Sequence, residues 1–86
     1  MKLSETSKLM ISNDFKDRMR AEYWQLKNRS DGLRKMLDKY KKGELDFTPN
    51  CSYDLLHEQY VVMMHYLYVL EVRAAIEKID LDVESA

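Results

Sequence analysis

Lys16, Arg20, Tyr23, Trp24 and Lys27 fall within three helical turns, and Arg20, Tyr23, Trp24 and Lys27 are three or four apart, so they share overlapping helix faces. Cations set beside aromatic rings can neutralise phosphates while the rings stack on bases. That is the chemistry of holding an anion or a nucleotide. A plainer reading is open for the same residues: Tyr23 lies on a core stripe, Trp24 can fill an interface, and Lys16 and Lys27 can simply be solvated. Arg73 is a second case, because the stripe it occupies is otherwise made of Leu55, Val62, Tyr66, Val69 and Ile76. A charge among apolar neighbours needs a partner. Three are available: Glu77 at i+4, an acid of another subunit, or a ligand phosphate gripped by arginines that rotational symmetry gathers at an axis.

Bond-breaking chemistry finds little support. Cys51 lies in a connector, with no third group to support it as a nucleophile beside His57 or His65. The two histidines are eight positions apart, too far to share a metal at i and i+4. His65 reads better as a partly buried interface residue. The two glycines are eleven positions apart, so there is no glycine-rich phosphate loop. The expectation is a protein that is not an enzyme and has no cofactor.

Two long helices must position these side chains. Met19, Tyr23, Leu26, Ser30, Leu33, Leu37 and Tyr40 alternate steps of four and three, which predicts a heptad-like stripe on a helix over residues 14–42. Asp14 can cap its start, Asp17 adds negative charge to the first turn, and Lys39, Lys41, Lys42 and Gly43 supply a basic last turn and a stop. Gly32, off the stripe, either admits a close neighbour or permits a bend. Residues 43–52 form a connector, with Thr48, Pro49 and Asn50 supplying turn chemistry and Ser52 the next cap. Phe47 is expected to tuck under the tip. A second helix over 53–79 repeats the stripe through Leu56, Tyr60, Met63, Leu67, Leu70 and Ala74, which predicts an antiparallel hairpin. Residues 1–13, with Leu3 and Leu9-Met10-Ile11, suggest a short helix or arm, and 80–86 an acidic tail whose terminal few residues are expected to fray.

The chain is one all-α domain of 86 residues, and its net charge of −1 conceals a division along its length. Residues 16–42 carry ten basic against four acidic side chains, for +6, whereas 43–86 carry two against nine, for −7; the first fifteen balance. Either the basic helix packs beside an acidic one, or part of it meets an anion. One cysteine offers no internal disulfide, and the first residues lack the apolar stretch of a signal peptide, so a reducing cytoplasm is the expected location.

Between Tyr60 and Val72 only His65 and Glu71 are strongly polar. A helix apolar all round must be buried all round, and a chain of this size buries only about 60 to 65% of its unfolded surface. The run is shorter than the roughly 18 apolar residues of a membrane span. Stripes beside the seam, Leu55, Gln59, Val62, Tyr66, Val69, Arg73 and Ile76 on one flank and Val61, Met64, Tyr68 and Val72 on the other, are therefore expected to be subunit interfaces of a symmetric homo-oligomer.

The segments Arg18-Met19-Arg20-Ala21-Glu22-Tyr23-Trp24-Gln25-Leu26, with Leu33 and Leu37, and Leu55-Leu56-His57-Glu58-Gln59-Tyr60, with Met64, Tyr66, Leu70-Glu71 and Arg73, resemble the two helices of small hairpin proteins of crAss-like and related phages. The layout over residues 14–77 is also similar to the phage sponges that counter bacterial CBASS and Thoeris immunity by sequestering cyclic nucleotide signals. That resemblance implies a homo-oligomer, often a hexamer, with cyclic dinucleotides between subunits and, in some members, cyclic trinucleotides at three-fold sites. Arg20 falls near that group's phosphate-binding lysine, and Gln59, Met63 or Met64, and Arg73 echo its Gln, Met and Arg pattern. The chain lacks that group's Gly-Tyr-Arg near the N-terminus and has Cys51-Ser52-Tyr53 in place of its Arg-Trp.

The reading that follows is an anti-defence sponge in the infected bacterial cell, binding a cyclic di- or trinucleotide without cleaving it. Lys16, Arg20 and Lys27 would neutralise phosphates, Tyr23, Trp24 or Tyr66 would stack on bases, and Arg73 would serve a site near a symmetry axis. The alternative is a small interaction protein that binds a host or phage protein through its apolar faces. DNA or RNA binding through the basic helix is weakened by its scattered acids, and neither a membrane nor DNA is an expected partner.

Overall fold

The computed structural model describes residues 2–11 and 13–82. Three helices follow one another, α1 (Leu3–Met10), α2 (Phe15–Lys42) and α3 (Tyr53–Ile76), and no strand occurs among the described residues. α2 and α3 form the expected hairpin. α1 packs on α2 as well, without forming a packed contact with α3, so α2 is the central element.

Each long helix is delimited by its own end chemistry. The Asp14 carboxylate accepts from the Lys16 N–H at 2.9 Å, and the Ser52 hydroxyl accepts from the Leu55 N–H at 3.2 Å, satisfying N–H groups that an α-helix leaves unpaired at its start. α2 ends at Gly43, whose φ of 71° lets the Gly43 and Glu44 N–H groups turn back to the Tyr40 and Lys39 carbonyls. α3 ends three residues earlier than its sequence pattern suggests, because Lys78 adopts a left-handed φ of 57°. The Lys78 and Ile79 N–H groups then bond back to the Ala75 and Ala74 carbonyls. Ile79 closes over Ala74, the apolar contact that accompanies this kind of helix stop.

The hairpin seam follows the two stripes. Met19, Ser30 and Leu37 of α2 and Leu67, Leu70 and Ala74 of α3 are buried, with Tyr23, Leu26, Leu33, Leu56, Tyr60 and Met63 half-buried beside them. α1 covers a different face of α2. Thr6 and Ala21 are fully buried there, and the Gln25 amide donates to the Thr6 hydroxyl at 3.1 Å and also to the Met10 sulfur. At the hairpin tip Tyr40 and Tyr53 meet edge to face, 5.7 Å between ring centres.

One expectation needs correction here. Phe47 does not tuck under the tip: it is 56% exposed, while Leu45 and Pro49 supply the half-buried apolar surface of the connector. Residues 80–82, the start of the acidic tail, are held against α2, because Leu81 packs on the cluster of Met19, Ala74 and Ile79. The last four residues of that tail, like Met1 and Ser12 of the expected arm, lie outside the described residues. Gly32 receives no close neighbour, since a Cβ built there meets nothing within 4 Å, and α2 runs through it as helix.

Candidate functional site

The basic and aromatic residues of α2 do converge, and they converge on the C-terminal segment. The Arg20 Nε donates to the Asp80 carbonyl at 2.8 Å, and the Trp24 indole N–H donates to the Leu81 carbonyl at 2.6 Å. Spacing explains the alignment: i and i+4 on a helix present two donors one above the other, and two successive carbonyls of an irregular strap meet them. Arg20 is further fixed by an ion pair with Asp17 at 3.2 Å, and both side chains are almost out of solvent. A partly buried pair of this kind holds the guanidinium still, which a solvated pair does not.

Tyr23 and Trp24 pack edge to face at 5.3 Å, with their planes 88° apart. The Tyr23 hydroxyl donates to Glu71 at 3.2 Å, which ties the seam of α2 to α3. Tyr23 holds its proton more tightly than an ordinary tyrosine. Burial is the main cause, followed by the negative charge of Glu71, the hydrogen bond to it, and the charges of Asp82 and Asp31. Lys27 pairs with Asp31 at 3.6 Å in a solvent-accessible i,i+4 bridge. Lys16 is exposed.

The other two candidates lie elsewhere. The Tyr66 hydroxyl donates to the Glu22 carboxylate, which sits on the opposite flank of α2, since Glu22 and Trp24 are about 200° apart around the helix. Arg73 shares the Tyr66 stripe, is exposed, and makes no ion pair with Glu77 or any other acid among the described residues. One chain thus assembles Arg20, Tyr23, Trp24 and Lys27 on one flank and leaves Tyr66 and Arg73 on the other.

The acceptors on the C-terminal segment, and Glu22 and Glu71 as partners of the two tyrosines, were not anticipated from the sequence. A usable signal existed, because Ile79 and Leu81 are apolar residues spaced two apart just after the charged pair Glu77-Lys78. On the Arg73 flank, a shallow groove of about 500 Å³ is lined by Leu55, Glu58, Gln59, Val62 and Met63. His65 is exposed rather than partly buried in the single chain, stacking with Tyr68 at 6.3 Å. His57 lies between Tyr53 and Tyr60, and no group of His, Cys, Asp and Glu among the described residues could hold a metal ion. No helix among the described residues is long and apolar enough to cross a membrane.

Against known families, the model of the Sequestin family matches residues 13–76, from the cap of α2 to the last residue of α3. The chain belongs to the Sequestin family. The match covers the whole hairpin of this Sequestin chain and leaves α1 and the C-terminal strap outside it. No curated protein and no solved structure matches it.

Proposed function

We propose that this Sequestin-family protein is a sponge: it binds a cyclic oligonucleotide signal and holds it without cleaving it, in the cytoplasm of an infected bacterial cell. The observation that carries this reading is the family match across the hairpin, because the family name denotes sequestration. Holding a ligand needs complementary charge and rings, not a reacting group. The flank of α2 has both.

Arg20 and Trp24 point two N–H donors at adjacent carbonyl oxygens, and a phosphate presents oxygens that can replace them. In this reading Lys16 and Lys27 add positive charge at the edges of the site, and Tyr23, Trp24 and Tyr66 offer rings for bases. Since Tyr66 and Arg73 lie on the far flank, a site using all of these residues draws on more than one subunit. The sponge therefore acts as a symmetric homo-oligomer, for which the resemblance to other phage sponges implies a hexamer.

Native mass spectrometry with a panel of cyclic di- and trinucleotides tests the reading. Expected is a discrete oligomer that takes up a fixed number of one nucleotide and returns it chemically unchanged after denaturation. Arg20→Ala and Trp24→Ala should each weaken uptake at least about tenfold, the loss of one charge-assisted or stacking contact. Indifference to the whole panel would favour the second reading, a protein that binds a host or phage protein. That reading rests on the apolar residues α3 leaves in solvent, among them Tyr68 at 60% and Val62 at 62% exposure.

A further inference from the structure

The exposed stripe of α3 on the Arg73 flank reads the same by chemical class in both directions. In order it is Leu55, Gln59, Val62, Tyr66, Val69, Arg73 and Ile76: apolar, polar, apolar, aromatic, apolar, polar, apolar. All seven are exposed. A palindromic stripe is what an isologous contact requires, because across a two-fold axis residue i meets residue j and j meets i.

We propose that two copies of this chain pair α3 against α3, antiparallel, about a two-fold axis at Tyr66, each Arg73 entering the partner's groove beside the partner's Glu58 and the partner's Gln59. The proposal rests on the self-assembly part of the functional reading and gives it a register. Leu55 then meets the partner's Ile76, Val62 meets the partner's Val69, and Tyr66 meets its own copy. Steps of four and three along the stripe suit this packing, which crosses two helices at about 20°.

Three observations converge on it. Arg73 and Glu58 each lack an ion pair among the described residues, although both sit among apolar neighbours. The groove of about 500 Å³ lies where the pairing needs a recess, lined by Leu55, Glu58, Gln59, Val62 and Met63. It is centred opposite the partner's Val69, Arg73 and Ile76. Charge selects the direction as well: a parallel pairing sets Arg73 against the partner's Arg73, whereas the antiparallel one sets it against the partner's Gln59, with the carboxylate of the partner's Glu58 beside it. The hydrogen bond from Tyr66 to Glu22 of its own chain fixes the ring that lies on the axis.

Charge reversal tests this on the full chain, with association followed by sedimentation and fold by circular dichroism. Arg73→Glu and Glu58→Arg are each expected to weaken self-association about tenfold or more, and the double variant to recover most of it, since it restores the pair with its sign exchanged. In a Cys51→Ser background, Tyr66→Cys should form a disulfide-linked dimer when an added two-electron oxidant such as oxidised glutathione takes up the electrons of the two thiols. A monomeric wild-type chain, a double variant no better than the singles, or a Tyr66→Cys chain that does not cross-link would each overturn the pairing, the last two in favour of another protein or another face on this stripe. Nucleotide uptake is scored separately. It is read on the wild-type chain: a wild type that takes up no nucleotide while the double variant recovers assembly removes the sponge reading and leaves the pairing standing, and wild-type uptake without recovery does the reverse.

Discussion

Tyr23 links α2 to α3 through one side chain, and its ionisation reports on that contact. Folding buries the phenol and sets it against Glu71, so the folded chain keeps its proton to a higher pH than an ordinary tyrosine, whose value is 10.0. Stability drawn from that preference is fully present below pH 10 and is lost as pH rises through the higher folded value. Tyr23→Phe cannot ionise. Its stability should fall less steeply than wild type above that pH in alkaline denaturation series. At neutral pH the same variant should cost about 0.5 to 1 kcal/mol, the worth of one accessible hydrogen bond. Gly32 makes a cleaner test at the same scale. It occupies helix with open space where a Cβ would go, so Gly32→Ala should stabilise by about 1 kcal/mol in urea denaturation, with no change of slope.

Among the elements, the strap from Lys78 to Asp82 is the one that carries the most consequence for the least sequence. Ile79 is 6% exposed and closes the end of α3 over Met19 and Ala74. Ile79→Ala should cost about 2 to 4 kcal/mol, read from the midpoint of chemical denaturation. It should also loosen the carbonyls that occupy Arg20 and Trp24, so that tryptophan fluorescence becomes more solvent-exposed before global unfolding begins. The hairpin itself was legible because its stripes repeat every three and four residues and its ends carry Asp14, Gly43 and Ser52, residues whose side chain or lack of one does the capping. The stop of α3 was not, because a lysine in left-handed backbone has no type signal. Nor was the second face of α2: Ala21 and Thr6 are small enough that their burial leaves no periodic apolar mark. Arg20, Tyr23, Trp24 and Lys27 could be grouped from their spacing, yet spacing alone could not show that a neighbouring backbone already meets two of them.

For the whole molecule, the deciding quantity is the apolar surface that one copy leaves in water. Leu55, Val61, Val62, Tyr68 and Ile76 are each more than half exposed on a single helix, and no element among the described residues lies over them. The proposed pairing of two copies would cover surface of this kind. Under that proposal mass action couples folding to concentration, since a partner that binds only the folded chain stabilises it. The melting temperature of the wild-type protein should rise measurably with each tenfold increase in protein concentration. Val69→Asp places a charge on the proposed seam without touching the buried face of α3, so its helix content should persist in circular dichroism. Its melting temperature should no longer depend on concentration, because the unpaired carboxylate makes burial of the stripe unfavourable. A variant that still melts in a concentration-dependent way would move the assembly surface to the flank of Val61, Met64, Tyr68 and Val72, where no charge pair sets the register. Basic α2 and the acidic later half of the chain add a second dependence: contacts between copies that join them should weaken steeply as salt is raised, whereas the stripe, mostly apolar with one Arg73–Glu58 pair, should weaken only a little. Measuring the concentration dependence at low and high salt therefore separates the two kinds of contact in one experiment.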